Sequence, residues 1–168
     1  MLQDESTMGD NTSTAQATTA LERFERFLTY RLHLFNKLTD KASSDAYMNE
    51  LGLPVGAARC LAAIGSFAPL SVKDLAIYAN LNKAQASRAT QALLERGYVF
   101  KEGNQQDARG VVITLTPSGQ AIWLQIMQIV ERRNKEIFGC LTEKERQQLG
   151  TLLDKLIKAN HLASEQDP

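Results

Sequence analysis

The stretch over residues 71–115 constrains this chain more than any other, because it carries helix, turn and strand signals in quick succession. Ser71-Val72-Lys73-Asp74-Leu75-Ala76-Ile77-Tyr78-Ala79 predicts a short helix. Ser71 is a capping residue, Asp74 stands three positions on as in a capping box, and Leu75, Ala76 and Ala79 supply an inner face. After the connection Asn80-Leu81, Asn82 with Gln85 repeats the capping signal, and Ala86, Thr90 and Leu93 fall three or four apart on the inward side of a second helix. Gly97 stops that helix, since glycine accepts positive φ at a helix end. Residues 98–102 and 110–115, rich in β-branched and aromatic side chains, then predict a hairpin around the polar loop 103–109. Two short helices across a tight turn, followed by a hairpin, describe a helix-turn-helix with a wing.

The outward side of the second helix carries the chemistry. Lys83, Gln85, Ser87, Arg88 and Gln91 all have hydrogen-bond donors and none is acidic. Such a set suits the major groove, where Arg, Lys and Gln read base edges and Ser or Lys grip phosphates. The segment therefore reads as a DNA recognition helix, with Ser71 at the start of the preceding helix counted among its DNA contacts. A solvated amphipathic helix has the same polar exterior, so the flanking elements carry the distinction. On the loop, Arg109 is placed to enter a minor groove, and Asp107 two residues earlier is able to hold it by a charge-assisted contact. The same pair equally satisfies an exposed ion pair worth ~0–1 kcal/mol.

Taken together, Ala86-Ser87-Arg88, Leu93-Leu94-Glu95-Arg96-Gly97-Tyr98-Val99, Asp107-Ala108-Arg109 and Leu115-Thr116-Pro117-Ser118-Gly119 resemble the multiple-antibiotic-resistance regulator (MarR) family of bacterial transcription factors. The resemblance covers about residues 51–121 and departs from the family at Gly110-Val111, where a bulkier first residue is the rule. It implies a homodimeric winged helix-turn-helix regulator, usually a repressor, released from a pseudo-palindromic operator in double-stranded DNA by a small, often aromatic, effector. It further implies that Arg109 is the wing arginine, that Asp107 positions it, and that Ser87 and Arg88 lie on the DNA-facing helix.

The rest of the chain is read around this lobe. Its 168 residues suffice for one sizeable core. Lys and Arg balance Asp and Glu at a formal net charge of zero, yet five cations face three carboxylates between Asn82 and Arg109. So small a local excess predicts salt-sensitive binding with much of the discrimination left to sequence and shape readout. Residues 1–19 are polar and predict a disordered tail without the features of a secretory leader. No apolar run reaches the ~18 residues of a membrane span. A cytoplasmic chain follows as the expectation.

Residues 20–42 predict a long helix within an N-terminal dimerisation segment, 20–50, because Leu21, Phe24, Leu28, Phe35 and Leu38 line one face while Phe27, Leu32 and Leu34 fall on others. Pro54 begins a helix over 55–67 as its first residue, with Val55, Ala58, Leu61, Ala62 and Gly65 forming a face that admits close approach. Leu70 predicts a minimal strand against the wing. Thr116-Pro117 opens a helix to Phe138, Gly139 breaks it, and Thr142 with Glu145 caps a last helix whose Leu149, Leu152, Leu153, Leu156 and Ile157 form a stripe. The expected architecture is mainly α with a small β-hairpin: a winged lobe over 51–115, C-terminal dimerisation helices over 116–163 and a frayed end, 164–168.

Other chemistry is sparse. Cys60 and Cys140 are far apart, and Cys60 reads either as a small buried hydrophobe or as a thiol redox sensor. His33, His161 and the two cysteines lack metal-ligand spacing, and no phosphate loop or nucleophile motif is present, so neither metal, cofactor nor catalysis is expected. An effector pocket, which the resemblance places between dimerisation helices and DNA-binding lobe, draws on Tyr30, His33, Tyr47 and Trp123. For each, ordinary packing is the competing explanation. The rival to a DNA-binding regulator is a winged-helix protein-interaction module, which the neutral overall charge permits.

Overall fold

The computed structural model describes residues 23–103 and 111–164. Its elements are α1 (Leu28–Leu51), α2 (Val55–Phe67), α3 (Val72–Tyr78), α4 (Lys83–Glu95), β1 (Val99–Gly103), β2 (Val111–Leu115), α5 (Pro117–Phe138) and α6 (Glu143–Ser164). The fold is therefore mainly helical with one antiparallel hairpin, as the sequence pattern predicts. Two compact units divide it, Met1–Asp45 and Ala46–Pro168.

In the N-terminal unit the predicted helix is interrupted and displaced. Residues 23–26 are helical, the chain bends at Phe27, and α1 then continues well past Ala42. Within it the Thr and Ser hydroxyls turn back onto the helix: Thr39 donates to the Phe35 carbonyl and Ser43 to that of Thr39, each at 3.0 Å. A Lys41–Asp45 pair at 3.0 Å adds one i, i+4 contact. Phe24, Phe27, Leu28, Leu32, Leu34, Phe35 and Leu38 are all exposed along this unit.

The larger unit holds the core. α2 is apolar nearly all round, burying Ala57, Ala58, Cys60, Leu61, Ala63 and Ile64, so other elements cover it on several sides. Leu75 of α3, Leu93 of α4, Ile113 of β2 and Ile126 of α5 are completely buried around it. Pro54 precedes α2 as its cap, at φ −59° and ψ 146°, rather than forming its first residue. Its extended ψ keeps it outside the helix.

β1 and β2 pair from Val99 opposite Leu115 to Gly103 opposite Val111. Leu70 bridges to Ile113 as the predicted minimal strand, with backbone hydrogen bonds of 2.9 and 3.3 Å. Thr116 caps α5 by accepting the Gly119 N–H at 3.0 Å, while its hydroxyl and that of Ser118 both donate to the Gly97 carbonyl. Gly119 has no alternative here, because a Cβ at this position would run into the Tyr98 carbonyl. The wing and the start of α5 are thus fastened to the end of α4. Among the described residues no helix is long and apolar enough to cross a membrane.

Candidate nucleic-acid interface

α3 and α4 meet across a turn in which Asn80 takes φ +55° and the Leu81 N–H returns to the Ala76 carbonyl at 2.9 Å. Ser71 caps α3 by accepting the Asp74 N–H at 3.1 Å, and its hydroxyl donates to the Asp74 carboxylate at 2.7 Å. The hydroxyl proton is thereby committed to the helix start. At α4 the box is reciprocal: the Gln85 N–H donates to Asn82 Oδ1 at 2.8 Å, and the Asn82 N–H donates to Gln85 Oε1 at 3.0 Å.

The predicted inward stripe is buried, with Ala86 and Leu93 at 0 % exposure and Thr90 at 1 %. Thr90 places its hydroxyl on the Ala86 carbonyl at 2.8 Å, so burial costs it no hydrogen bond. That anchoring fixes the rotation of α4 about its axis. Lys83, Gln85, Ser87, Arg88 and Gln91 consequently stand on its exposed surface. The side chains of Lys83, Ser87 and Arg88 make no hydrogen bond or ion pair with another described residue, whereas Gln91 Nε2 donates to Glu95 Oε1 at 3.1 Å.

One cation of this region serves the scaffold. Arg96 Nη1 donates to the Gly52 carbonyl at 3.0 Å, tying the end of α4 to the turn before α2. Local spacing carries no sign of this, since the partner lies 44 residues away. On the hairpin Lys101 is exposed, and Glu102 accepts from the Thr114 hydroxyl at 3.4 Å. Asp107 and Arg109 lie outside the described residues.

A pocket of about 280 Å³ opens in the same unit, lined in part by Tyr47, Arg59, Phe67, Tyr78, Met127 and Val130. Phe67 and Tyr78, both on its lining, stack directly on each other with centroids 4.6 Å apart and planes 22° from parallel. Burial raises the Tyr47 phenol, against the opposing pull of Arg59 and Arg133, so at neutral pH the hydroxyl keeps its proton. Trp123, expected in such a pocket, is not part of this lining: its ring packs against Gly65, where a Cβ would collide with the indole. Its Nε1 is buried without a partner among the described residues. Tyr30 and His33 belong to the N-terminal unit, where the Tyr30 ring lies 4.9 Å from that of Phe24 and His33 is exposed. Arg59, Phe67 and Tyr78 were not singled out by sequence. Arg59 and Phe67 share one face of α2, but Tyr78 comes from α3, and spacing along the chain does not show that these two helices meet.

The reading of Cys60 as a redox sensor is corrected by its surroundings. The thiol is 0 % exposed, and burial pushes its pKa up to about 11. A sensor requires thiolate and access, and this residue has neither.

The family model described as "MarR family" matches residues 51–110. The multiple antibiotic resistance protein MarR of Escherichia coli is 27% identical over 127 residues, 75% of this chain and 88% of that protein. The HTH-type transcriptional regulator BilQ of Clostridium symbiosum is 27% identical over 107 residues, 64% of this chain and 74% of the relative. A MarR/EmrR family regulator from Acinetobacter superposes with a TM-score of 0.69 at 28% identity, over 93% of this chain and 99% of that one. The likeness thus runs through the flanking helices as well as the winged lobe, and its relatives are transcriptional regulators rather than enzymes. On the capped helix pair, the hairpin and these relatives together, the winged lobe matches the MarR family model and the chain is similar to MarR-family transcriptional regulators along most of its length.

Proposed function

We propose that two copies of the chain form a repressor of a pseudo-palindromic operator, and that a small aromatic compound releases it. The observation that carries the DNA contact is the exposed side of α4, where Lys83, Ser87 and Arg88 stand free of partners among the described residues and no acidic group intervenes before Glu95. Arg88 and the two glutamines meet base edges in the major groove, Lys83 and Ser87 meet phosphates, and Arg109, oriented by Asp107, enters the neighbouring minor groove.

Dimerisation is supported by apolar side chains that the single chain leaves in water. Leu152, Leu156 and Ile157 of α6 are more than half exposed and line one stripe, and the N-terminal unit has its own exposed Phe and Leu residues. Pairing across these helices sets the two copies of α4 into successive major grooves, ~34 Å apart. The Tyr47–Tyr78 pocket, with its stacked rings, suits a single-ring aromatic molecule. A ligand seated there acts by favouring a dimer whose α4 helices are misaligned.

The test is titration of the full chain onto duplex DNA from upstream of its own gene at two salt concentrations, with and without a panel of phenolic acids. The reading predicts saturable binding that weakens steeply with salt and is relieved by at least one compound. Flat, salt-insensitive background would instead make the lobe a protein-interaction module, and a monomeric sedimentation profile would remove the operator geometry.

A further inference from the structure

Two adjacent residues at the end of α4 are fastened to the helical segments that flank the winged lobe. The Gly97 carbonyl accepts the Thr116 and Ser118 hydroxyls at 2.7 and 2.9 Å, which joins it to the start of α5. Arg96 Nη1 donates at 3.0 Å to the Gly52 carbonyl, in the turn that closes α1. That turn is held from several sides. Gly52 takes φ +62°, and the N–H groups of Gly52 and Leu53 return to the Met48 and Tyr47 carbonyls at 3.0 and 3.3 Å. Leu53 is completely buried, and Glu50, two residues before Gly52, pairs with Arg132 of α5. The acceptor of Arg96 is thereby set by α1, the core and α5 together. Arg96 follows the buried Leu93 by three residues, so it stands beside the inward stripe of α4, next to the turn it reaches.

We propose that Arg96 is a positioning residue for operator binding: through Gly52 it holds the end of α4 against the end of α1, and so sets the separation of half-sites that a dimer accepts. The inference rests on the proposed dimer reading DNA with α4. The buried stripe Ala86, Thr90 and Leu93 fixes the rotation of α4 about its axis, but it runs along one side of the helix. The tilt of the helix end is left to the ties at Arg96 and Gly97. With only the Gly97 tie in place, that end swings about a single point. One base pair changes the half-site separation by ~3.4 Å and turns one half-site by about a tenth of a revolution relative to the other. A dimer with both α4 ends tied twice rejects such a change, whereas one without the Arg96 tie follows it by tilting. The signature of Arg96 is therefore in spacing and not in base identity.

The experiment measures the affinity of the full-length protein for duplexes that the wild type selects from a randomised library, remade with the half-sites one base pair closer or further apart. The variants are Arg96→Met, which keeps the aliphatic stem and removes every donor, Arg96→Lys, which keeps a donor for the single hydrogen bond, and Arg88→Ala. Circular dichroism and the thermal midpoint report on folding. Arg96→Met loses about fivefold at the selected spacing, the worth of one exposed hydrogen bond, and binds all three spacings nearly alike. Arg96→Lys keeps the wild-type preference. Arg88→Ala weakens all three spacings equally. If Arg96→Met keeps the wild-type preference among spacings, the proposal is overturned while DNA reading by α4 stands. A salt dependence lowered by about one ion then marks Arg96 as a phosphate contact, and a lowered thermal midpoint marks it as a stability contact only. If Arg96→Lys behaves as Arg96→Met does, the hydrogen bond to Gly52 is not the cause, and the proposal is again overturned. If wild type itself shows no spacing preference, the paired reading of DNA fails first and the proposal with it.

Discussion

At the scale of single residues, burial decides which reactive groups are available. Cys60 carries a thiol raised to about 11, so at neutral pH it is a protonated, inaccessible hydrophobe, whereas Cys140 is exposed. Alkylation of the native protein followed by mass spectrometry should modify Cys140 and reach Cys60 only after denaturant is added; equal rates for the two would restore a sensing role to Cys60. Arg88 makes the opposite case, a cation with no partner among the described residues on an exposed surface. Its replacement by Ala should leave the thermal midpoint within a degree or two. Affinity for operator DNA should fall by ~1–3 kcal/mol if Arg88 makes a base contact, and a loss uniform across sequences would make it a phosphate contact. Gly119 shows how a residue without a side chain holds elements together. Gly119→Ala places a methyl against the Tyr98 carbonyl and should cost about 3 kcal/mol in urea unfolding, at the upper end for overpacking, because backbone rather than a flexible side chain must move.

At the scale of elements, the helix starts act as independent devices. The Asn82–Gln85 box both initiates α4 and orients a side chain proposed to read DNA, so Asn82→Ala should cost about 1 kcal/mol of stability and weaken operator binding as well. The Thr142–Glu145 box at α6 has no such second duty. There the Thr142 backbone N–H and then its hydroxyl hold the Glu145 carboxyl below the ordinary glutamate value. A depressed carboxyl stabilises the folded state at pH above its unfolded value, and that contribution is lost as pH falls through the lower folded value. Titration of Glu145 followed by NMR should therefore show a depressed midpoint that returns only part of the way toward ~4.3 in Thr142→Ala, which removes the hydroxyl but keeps the backbone N–H, and no movement in the variant would remove the hydroxyl as a cause. α1 illustrates the limit of periodicity. It runs past Ala42 through Thr39 and Ser43, whose hydroxyls find partners on carbonyls of the preceding turn although such residues often signal helix ends.

At the scale of the whole molecule, the proposed dimer assigns the exposed stripe on α6 and the exposed aromatic residues of the N-terminal unit to its interface. A double change of Leu152 and Leu156 to Glu should shift sedimentation from dimer to monomer and abolish operator binding, while the winged lobe keeps its helical signal. Retention of the dimer would locate the interface elsewhere. Loss of DNA binding in a still-folded monomer would follow from geometry, because one copy of α4 engages a single half-site.

The amino-acid order alone determined the elements that rest on local rules. These are the caps at Ser71, Asn82, Thr116 and Thr142, the stop at Gly97, and the inward triplet Ala86, Thr90 and Leu93. All depend on contacts a few residues apart, or on a face whose period is written in the chain. Tertiary structure decided what distant residues do to one another. It turned Arg96 from a local cation into a tie to Gly52, buried Cys60 completely, set Trp123 against Gly65 instead of in the pocket lining, and brought Phe67 onto Tyr78. Such pairings follow from where helices cross in space, and spacing along a chain does not encode that.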